Sequence, residues 1–438
     1  MTRSDGLVGP VSLADTVAQL RAGERDLSSW VNDQCDRLNT VEPQVRAFVP
    51  EPDRRARLLK EAAALEARYP EPNSRPILYG ALVGVKDIIN VEGMPTRAGS
   101  ALPAESFAGS EAAVVTRLRD AGALVLGKTI TTEFAYFAPG ATANPHDTAH
   151  TPGGSSSGSA AAVAAGEATI ALGSQTVGSV IRPAAFCGVV GFKATYGRVP
   201  TNGVLYYSPS VDHVGLFTCN VGDMESAASI ACDDWIGLSP IAAPVLAVPE
   251  GAYLNQADSD ALIIFEQWLA RLADLGLEIQ RIPALNDIED VASRHRALTT
   301  AEFTAVHGER FQQYGSLFRA RSAMLYDAGA RISAADAEEG RTGRATLRQE
   351  LDALLDQHGI DAWVCPAAPG PAPSGLGSTG NPAMNLPWTH AGVPAITLPG
   401  ATSVSGLPLG LQLAGRYGQD EHLLGVARTV ADLLDSRR

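Results

Sequence analysis

The sequence is short of charge. Asp, Glu, Lys and Arg make up 19% of it, against a usual share of about 25%. No cluster of five or more basic residues occurs, and the net charge is −14 over 438 residues. An acidic surface repels polyanions, which argues against direct nucleic-acid binding. No C-x-x-C spacing occurs either. The five cysteines, Cys35, Cys187, Cys219, Cys232 and Cys365, are scattered and odd in number. They read as reduced, small apolar residues of a cytoplasmic protein rather than as a disulfide frame. Met1 to Leu20 has no apolar stretch of the kind a secretory signal needs. The most apolar run, Ser159 to Leu172, is broken by Gly166 and Glu167 and is too short to span a bilayer.

Apolar residues and glycine are plentiful. The 45% hydrophobic share excludes a disordered chain and is ample for a large core. The length predicts two to three domains or one large α/β domain. Glycine numbers 43, an excess over the usual share of about 7%. No Gly-X-Y period accompanies it, so it is not collagenous.

The chain begins with helical patterning. Ser12 with Asp15 makes an N-terminal capping pair, Leu13, Val17 and Leu20 then share a face, and Gly23 is the expected stop. A second amphipathic stretch carries Trp30, Val31, Cys35 and Leu38, and a third runs from Asp53 to Tyr69. Ala81 to Val85 reads as a strand ending at Lys86, Ser110 to Asp120 as a helix, and Ala123 to Leu126 as a strand. Strand, helix and strand at this spacing predict a βαβ unit. Between Phe134 and Asn220 only six side chains are charged, so that segment is expected to be buried. From Asp258 to Asp361 the composition turns to Glu, Arg and Ala with helical periodicity. Thr379 to Leu413 returns to short apolar strands.

Three short motifs fit catalytic patterns without the context that those need. Gly122-Ala-Leu-Val-Leu-Gly127-Lys128-Thr129 fits the phosphate-loop pattern, but a charged helix precedes it and its middle is an apolar strand. The preferred reading is a helix cap, a strand and a turn. His146-Asp-Thr-Ala-His150 resembles a zinc motif, yet prolines bracket it and no helix aligns the imidazoles. Gly154-Ser-Ser-Ser-Gly158 fits a nucleophile elbow, but no strand leads into it.

A longer pattern survives. Thr151-Pro-Gly-Gly-Ser155-Ser-Ser-Gly-Ser159 leads into an alanine-rich helix. Ala171-Leu-Gly-Ser-Gln175-Thr-Val-Gly-Ser179-Val-Ile-Arg182-Pro-Ala-Ala-Phe-Cys-Gly188 follows. With Gly84-Val-Lys86-Asp87, Ala391-Gly-Val-Pro-Ala395 and Leu407-Pro-Leu-Gly-Leu-Gln412, it resembles the amidase signature family over nearly the whole chain. The resemblance implies an α/β fold with a large mixed, mostly parallel twisted sheet flanked by helices on both faces. It divides the chain into an N-terminal helical region over 1–70, packing on the core, and an amidase signature domain over 71–438. A helical insertion or subdomain falls at about 258–361.

The resemblance also implies a serine–serine–lysine triad for acyl transfer. Lys86 is the base, Ser155 the bridging serine behind a cis peptide, and Ser179 the nucleophile. Backbone amides of Thr176, Val177, Gly178 and Ser179 form the oxyanion hole. The physical requirement can be stated independently. A serine needs a base to take its proton. Lysine, with an ordinary pKa of about 10.4, serves only where burial among few charges lowers it by about three units. Many relatives carry Asp and Gly where Gln175 and Val177 stand. Gln175 occurs in a subset of the family, whereas Val177 restricts the backbone of the oxyanion loop and puts a β-branched side chain near the acyl pocket, either narrowing it or merely packing. Arg182 is a candidate for a substrate carboxylate, with a structural ion pair as the even alternative. Phe134, Tyr136 and Trp388 are candidate pocket walls, each equally readable as core.

The expected partners are a small amide and water, with no nucleic acid, membrane, metal or cofactor; a homodimer is left open. The leading reading is a stand-alone amidase acting on an amide, carbamate or ester. The A subunit of a tRNA-dependent amidotransferase ranks second, because Gln175 and Val177 depart from the sequence usual there. A non-enzymatic binding protein ranks third, because Lys86, Ser155 and Ser179 are intact.

Overall fold

The computed structural model describes residues 6–239 and 241–435. The first five residues of the Met1 to Leu20 stretch lie outside it. Three helices open the chain: α1 (Leu13–Ala22), α2 (Leu27–Val45) and α3 (Arg54–Arg68). The Ser12 hydroxyl accepts from the Asp15 amide, and Gly23 closes α1 in the left-handed conformation at φ 75°. β1 (Leu82–Lys86), α4 (Ala113–Asp120) and β2 (Leu124–Thr129) follow. β1 and β2 pair in parallel, as the βαβ reading requires. Lys128 and Thr129 belong to β2, so the phosphate-loop-like motif is strand, its amides part of a sheet.

Next come α5 (Ser157–Ala164), β3 (Ile170–Gln175), α6 (Ile181–Cys187), β4 (Val190–Lys193), β5 (His213–Thr218) and α7 (Val221–Ala231). All of α5 is buried. A Cβ at Gly158 would collide with the Ala47 carbonyl and the Ile130 backbone, which explains why so small a residue stands there. The Asp223 carboxylate of α7 accepts from the Leu13 and Ala14 amides at 2.8 and 2.9 Å. A negative charge there satisfies free amides at the start of α1 and suits its dipole.

The remainder comprises β6 (Leu246–Glu250), α8 (Ser259–Asp274), β7 (Ile279–Pro283), α9 (Ile288–Tyr314), α10 (Ala320–Gly329) and α11 (Ala334–His358). After these come β8 (Ala362–Pro366), α12 (Leu386–Ala391), β9 (Ala395–Thr402), β10 (Pro408–Ala414) and α13 (Asp420–Asp435). The segment 258–361 is therefore mainly helical, but β7 within it pairs in parallel with β6 and joins the main sheet.

One ten-stranded sheet runs β2-β1-β3-β5-β4-β9-β10-β8-β6-β7. It is mixed and flanked by helices, as expected, but the expectation of mostly parallel pairing needs correcting. Parallel pairs occupy the two ends of the sheet, β2-β1-β3 and β8-β6-β7. Every pair between them is antiparallel. For two of these pairs the connections supply the reason. β9 returns into β10 through a short hairpin, and no helix intervenes between β4 and β5, whereas a parallel pair needs a crossover. β1, β2, β3, β5 and β10 are buried along their full lengths, as strands covered on both faces must be. Among the described residues no helix is long and apolar enough to cross a membrane.

Candidate active site

β1 lies between β2 and β3 in the sheet. The carboxyl ends of such parallel strands are where open α/β sheets form clefts. Lys86 is the last residue of β1, and Ser174 is the penultimate residue of β3. Lys86 is fully buried. Its Nζ donates to Ser155 Oγ at 2.7 Å and to Ser174 Oγ at 2.8 Å. Burial pulls Lys86 from 10.5 down to about 7, and the Asp212 charge acts against that shift. An ordinary lysine is neutral about three times in ten thousand at pH 7; this one is poised near half. Asp87, next in sequence, is turned to Lys128 at 3.0 Å.

Ser155 sits in the loop before α5, behind a cis Gly154–Ser155 peptide. Arg182 Nη2 donates to the Gly154 carbonyl at 2.6 Å and to Thr379 Oγ1 at 3.2 Å. Ser157 Oγ donates to the Gly153 carbonyl at 2.7 Å, and Ser156 Oγ to the Ser174 carbonyl at 3.2 Å. The serines after Ser155 thus brace the loop, each answering a backbone group that burial would otherwise leave unpaired.

Ser179 occupies the turn from β3 to α6 and borders one narrow chamber with Ser155, Thr176, Val177, Gly178 and Arg182. The turn is held from inside. Gln175 Oε1 accepts from the Val180 and Ile181 amides at 2.7 and 3.0 Å. Its Nε2 donates to Thr389 Oγ1 at 2.9 Å, and that hydroxyl donates to the Val177 carbonyl at 2.6 Å. An aspartate could accept the same two amides but could not donate to Thr389. A Cβ at Gly178 would collide with Asn385 Oδ1. Among the described residues, no backbone acceptor meets the amides of Val177, Gly178 or Ser179.

The structure thus gathers Lys86, Ser155, Ser179, the 176–179 turn, Arg182 and Tyr136 at one cleft. It places two candidate wall residues elsewhere. Phe134 is buried among Phe107, Phe303, His307 and Phe318 and does not border that narrow chamber. Trp388 lies on α12 rather than on a strand, donates from Nε1 to Tyr253 Oη at 2.9 Å and is fully buried. Both follow the packing habit of aromatics. Among the described residues Arg182 faces no carboxylate: it is wholly buried, and burial lowers it to about 9.

Sequence reasoning missed Ser174, Asp212, Thr389 and Phe137. Asp212 accepts from Thr176 Oγ1 at 2.6 Å and from the Tyr207 and Ser208 amides at 2.7 and 2.9 Å. Burial lifts it to about 6. Its signal was available, since it is one of the few charges in the charge-poor segment. The imidazoles of His146 and His150 part company: His146 Nε2 meets the Cys187 carbonyl at 2.9 Å, and His150 meets Asp147 at 3.1 Å. The Gly154–Gly158 motif enters from irregular chain rather than from a strand.

Fold and cleft together define an α/β protein whose poised lysine and serines meet at the carboxyl ends of parallel strands. The chain belongs to the Amidase family, whose model matches residues 29–424. The A subunit of the glutamyl-tRNA(Gln) amidotransferase of Cyanothece sp. (strain PCC 7425 / ATCC 29141) is 30% identical over 468 residues, covering 95% of this chain and 96% of that one. Among solved structures, a crystal structure of an amidase matches with a TM-score of 0.87 and 32% identity, over 98% of this chain and 100% of the other. Native peptide amidase from Stenotrophomonas maltophilia matches with a TM-score of 0.82 and 28% identity, over 98% of both chains.

Proposed function

We propose that the chain is an amidohydrolase working through a serine acyl-enzyme. Ser179 Oγ attacks the amide carbonyl. Ser155 takes the Ser179 proton and passes its own to Lys86, and the proton returns by the same path to the departing amine. The amides of Thr176, Val177, Gly178 and Ser179 receive the negative charge on the carbonyl oxygen, where fixed donors typically contribute about 3–4 kcal/mol each. Water, deprotonated by the same lysine and serine, then releases the acid.

The observation that carries this reading is a fully buried lysine, poised near neutrality, 2.7 Å from a serine that shares its chamber with Ser179. The test is release of ammonia or amine from a panel of simple amides by the purified chain alone. Turnover should disappear in Ser179→Ala. Undiminished turnover in that variant would sink the assignment.

A second reading is the A subunit of a tRNA-dependent amidotransferase, favoured by 30% identity to such a protein over 95% of the chain. It predicts glutaminase activity only in the presence of partner proteins. The departures at Gln175 and Val177 place it second.

A further inference from the structure

The chamber that holds Ser155 and Ser179 is small, about 20 Å³, with room for little more than one water-sized group. It adjoins a larger chamber of about 380 Å³, within the range of small-molecule sites. Tyr136, Phe137, Val177, Tyr207 and Pro382 border both. The larger chamber is thus the adjacent space for the bulk of an amide reacting at Ser179.

The larger chamber has little to offer a cation. Among the described residues no carboxylate borders either chamber. Its histidine, His295, is buried against His390, with Nδ1 to Nδ1 at 3.2 Å, and burial holds it near 4 and so neutral at pH 7. Arg296 is exposed to solvent. Three of its other polar side chains are already engaged within the protein. Thr299 Oγ1 donates to the His295 carbonyl at 2.9 Å, Gln256 Nε2 donates to the Tyr253 carbonyl at 3.1 Å, and Asn381 Oδ1 accepts from the Ala383 amide at 3.0 Å. Three aromatic side chains and the aliphatic Ile288, Ala292 and Leu325 supply most of the remaining wall. An ammonium brought here would lose its water and gain no counter-charge.

We infer that the substrate is an amide whose non-reacting part is apolar and carries no positive charge, of phenyl or branched-alkyl size, and that amides carrying an ammonium, such as free glutamine, are excluded. This deepens the hydrolytic reading and rests on it.

The test compares acetamide, 3-phenylpropionamide, acetanilide and L-glutamine on the full chain. At least one phenyl compound should exceed acetamide in kcat/KM about tenfold or more, with glutamine below acetamide. Ala292→Phe, which fills the chamber from α9, should cut the phenyl-to-acetamide ratio at least about tenfold, chiefly through KM. Leu325→Ala, which widens it, should cut the same ratio several-fold and serves if the first variant does not fold. Glutamine turned over as well as the phenyl compounds, or a ratio unmoved in folded variants, would overturn the inference. Calorimetry on Ser179→Ala protein separates the two claims, because there 3-phenylpropionamide should bind and glutamine should not, whatever the turnover. Ser179-dependent hydrolysis without phenyl preference defeats the inference alone. Phenyl binding without any Ser179-dependent hydrolysis defeats the hydrolytic reading alone.

Discussion

Residues 151–188 and residues 288–329 meet at the same cleft and are built on different principles. The first region is small, glycine- and serine-rich and buried at nearly every position. Its geometry is set by backbone groups, each answered by a nearby side chain: Ser157 to Gly153, Arg182 to Gly154, Gln175 to Val180 and Ile181. The second region is helical and charged on its exposed faces. Its inner face borders the larger chamber through Ala292, His295 and Leu325. It also grips the 133–139 segment, with Arg321 Nη1 on the Phe137 carbonyl at 2.7 Å and Arg319 Nη1 on the Pro139 carbonyl at 2.6 Å. A loop braced by buried hydrogen bonds tolerates little change. A helix face presenting short apolar side chains can vary one residue at a time. Under the proposed hydrolytic reading, the serine chemistry belongs to the first region and the choice of substrate to the second.

The largest effects should come from the first region. Ser179→Ala should lower kcat at least about 10³-fold with an unchanged melting temperature. Lys86→Met should be as severe for kcat but should raise the melting temperature, because an apolar side chain of similar length replaces a buried amine. The sign follows from linkage. Lys86 stands near 7 when folded against 10.5 ordinarily, so between those values the unfolded chain holds the extra proton. The penalty is fully present below about pH 7 and fades as pH approaches 10.5. The thermal advantage of Lys86→Met should shrink over that window. An advantage independent of pH would break the assignment of a neutral lysine.

Thr389→Val comes next. It strands the Gln175 amide and frees the Val177 carbonyl, and it should lower kcat roughly 10- to 100-fold, as a buried unpaired polar group implies. Asp212→Asn should move the acid limb of kcat/KM, expected near pH 7, to lower pH, since Asp212 is the charge that supports protonated Lys86. A limb that stayed in place or moved upward would contradict that link. The smallest change in kcat should come from the second region: Leu325→Ala should raise KM more than it lowers kcat. A loss confined to kcat would erase the contrast between the regions.

Much of this was legible along the chain, for local reasons. The Ser12 cap, the Gly23 stop and the parallel β1–β2 pair rest on residues within one turn or one crossover of each other. That Lys86, Ser155 and Ser179 meet at one cleft was legible because Lys86 ends a strand-like run and the two serines lie in loops that carry a long, specific pattern. What was not legible depends on contacts between distant segments. Asp212 reaches Thr176 across 36 residues, and Gln175 reaches Thr389 across 214. Strand direction in the middle of the sheet depends on whether a connection crosses over, which composition does not reveal. Phe134 and Trp388 have the same pattern whether they face substrate or core. Trp388 went to the core because its Nε1 finds Tyr253 there, and Phe134 because four aromatic rings surround it.

The most direct test of the account is to label the full chain with a fluorophosphonate, map the adduct by peptide mass spectrometry and follow the labelling rate with pH. The expected result is a single phosphonyl group on Ser179, formed at a rate that rises through about pH 7 as Lys86 loses its proton. An adduct on Ser155 or elsewhere, or a rate flat across that range, would contradict it.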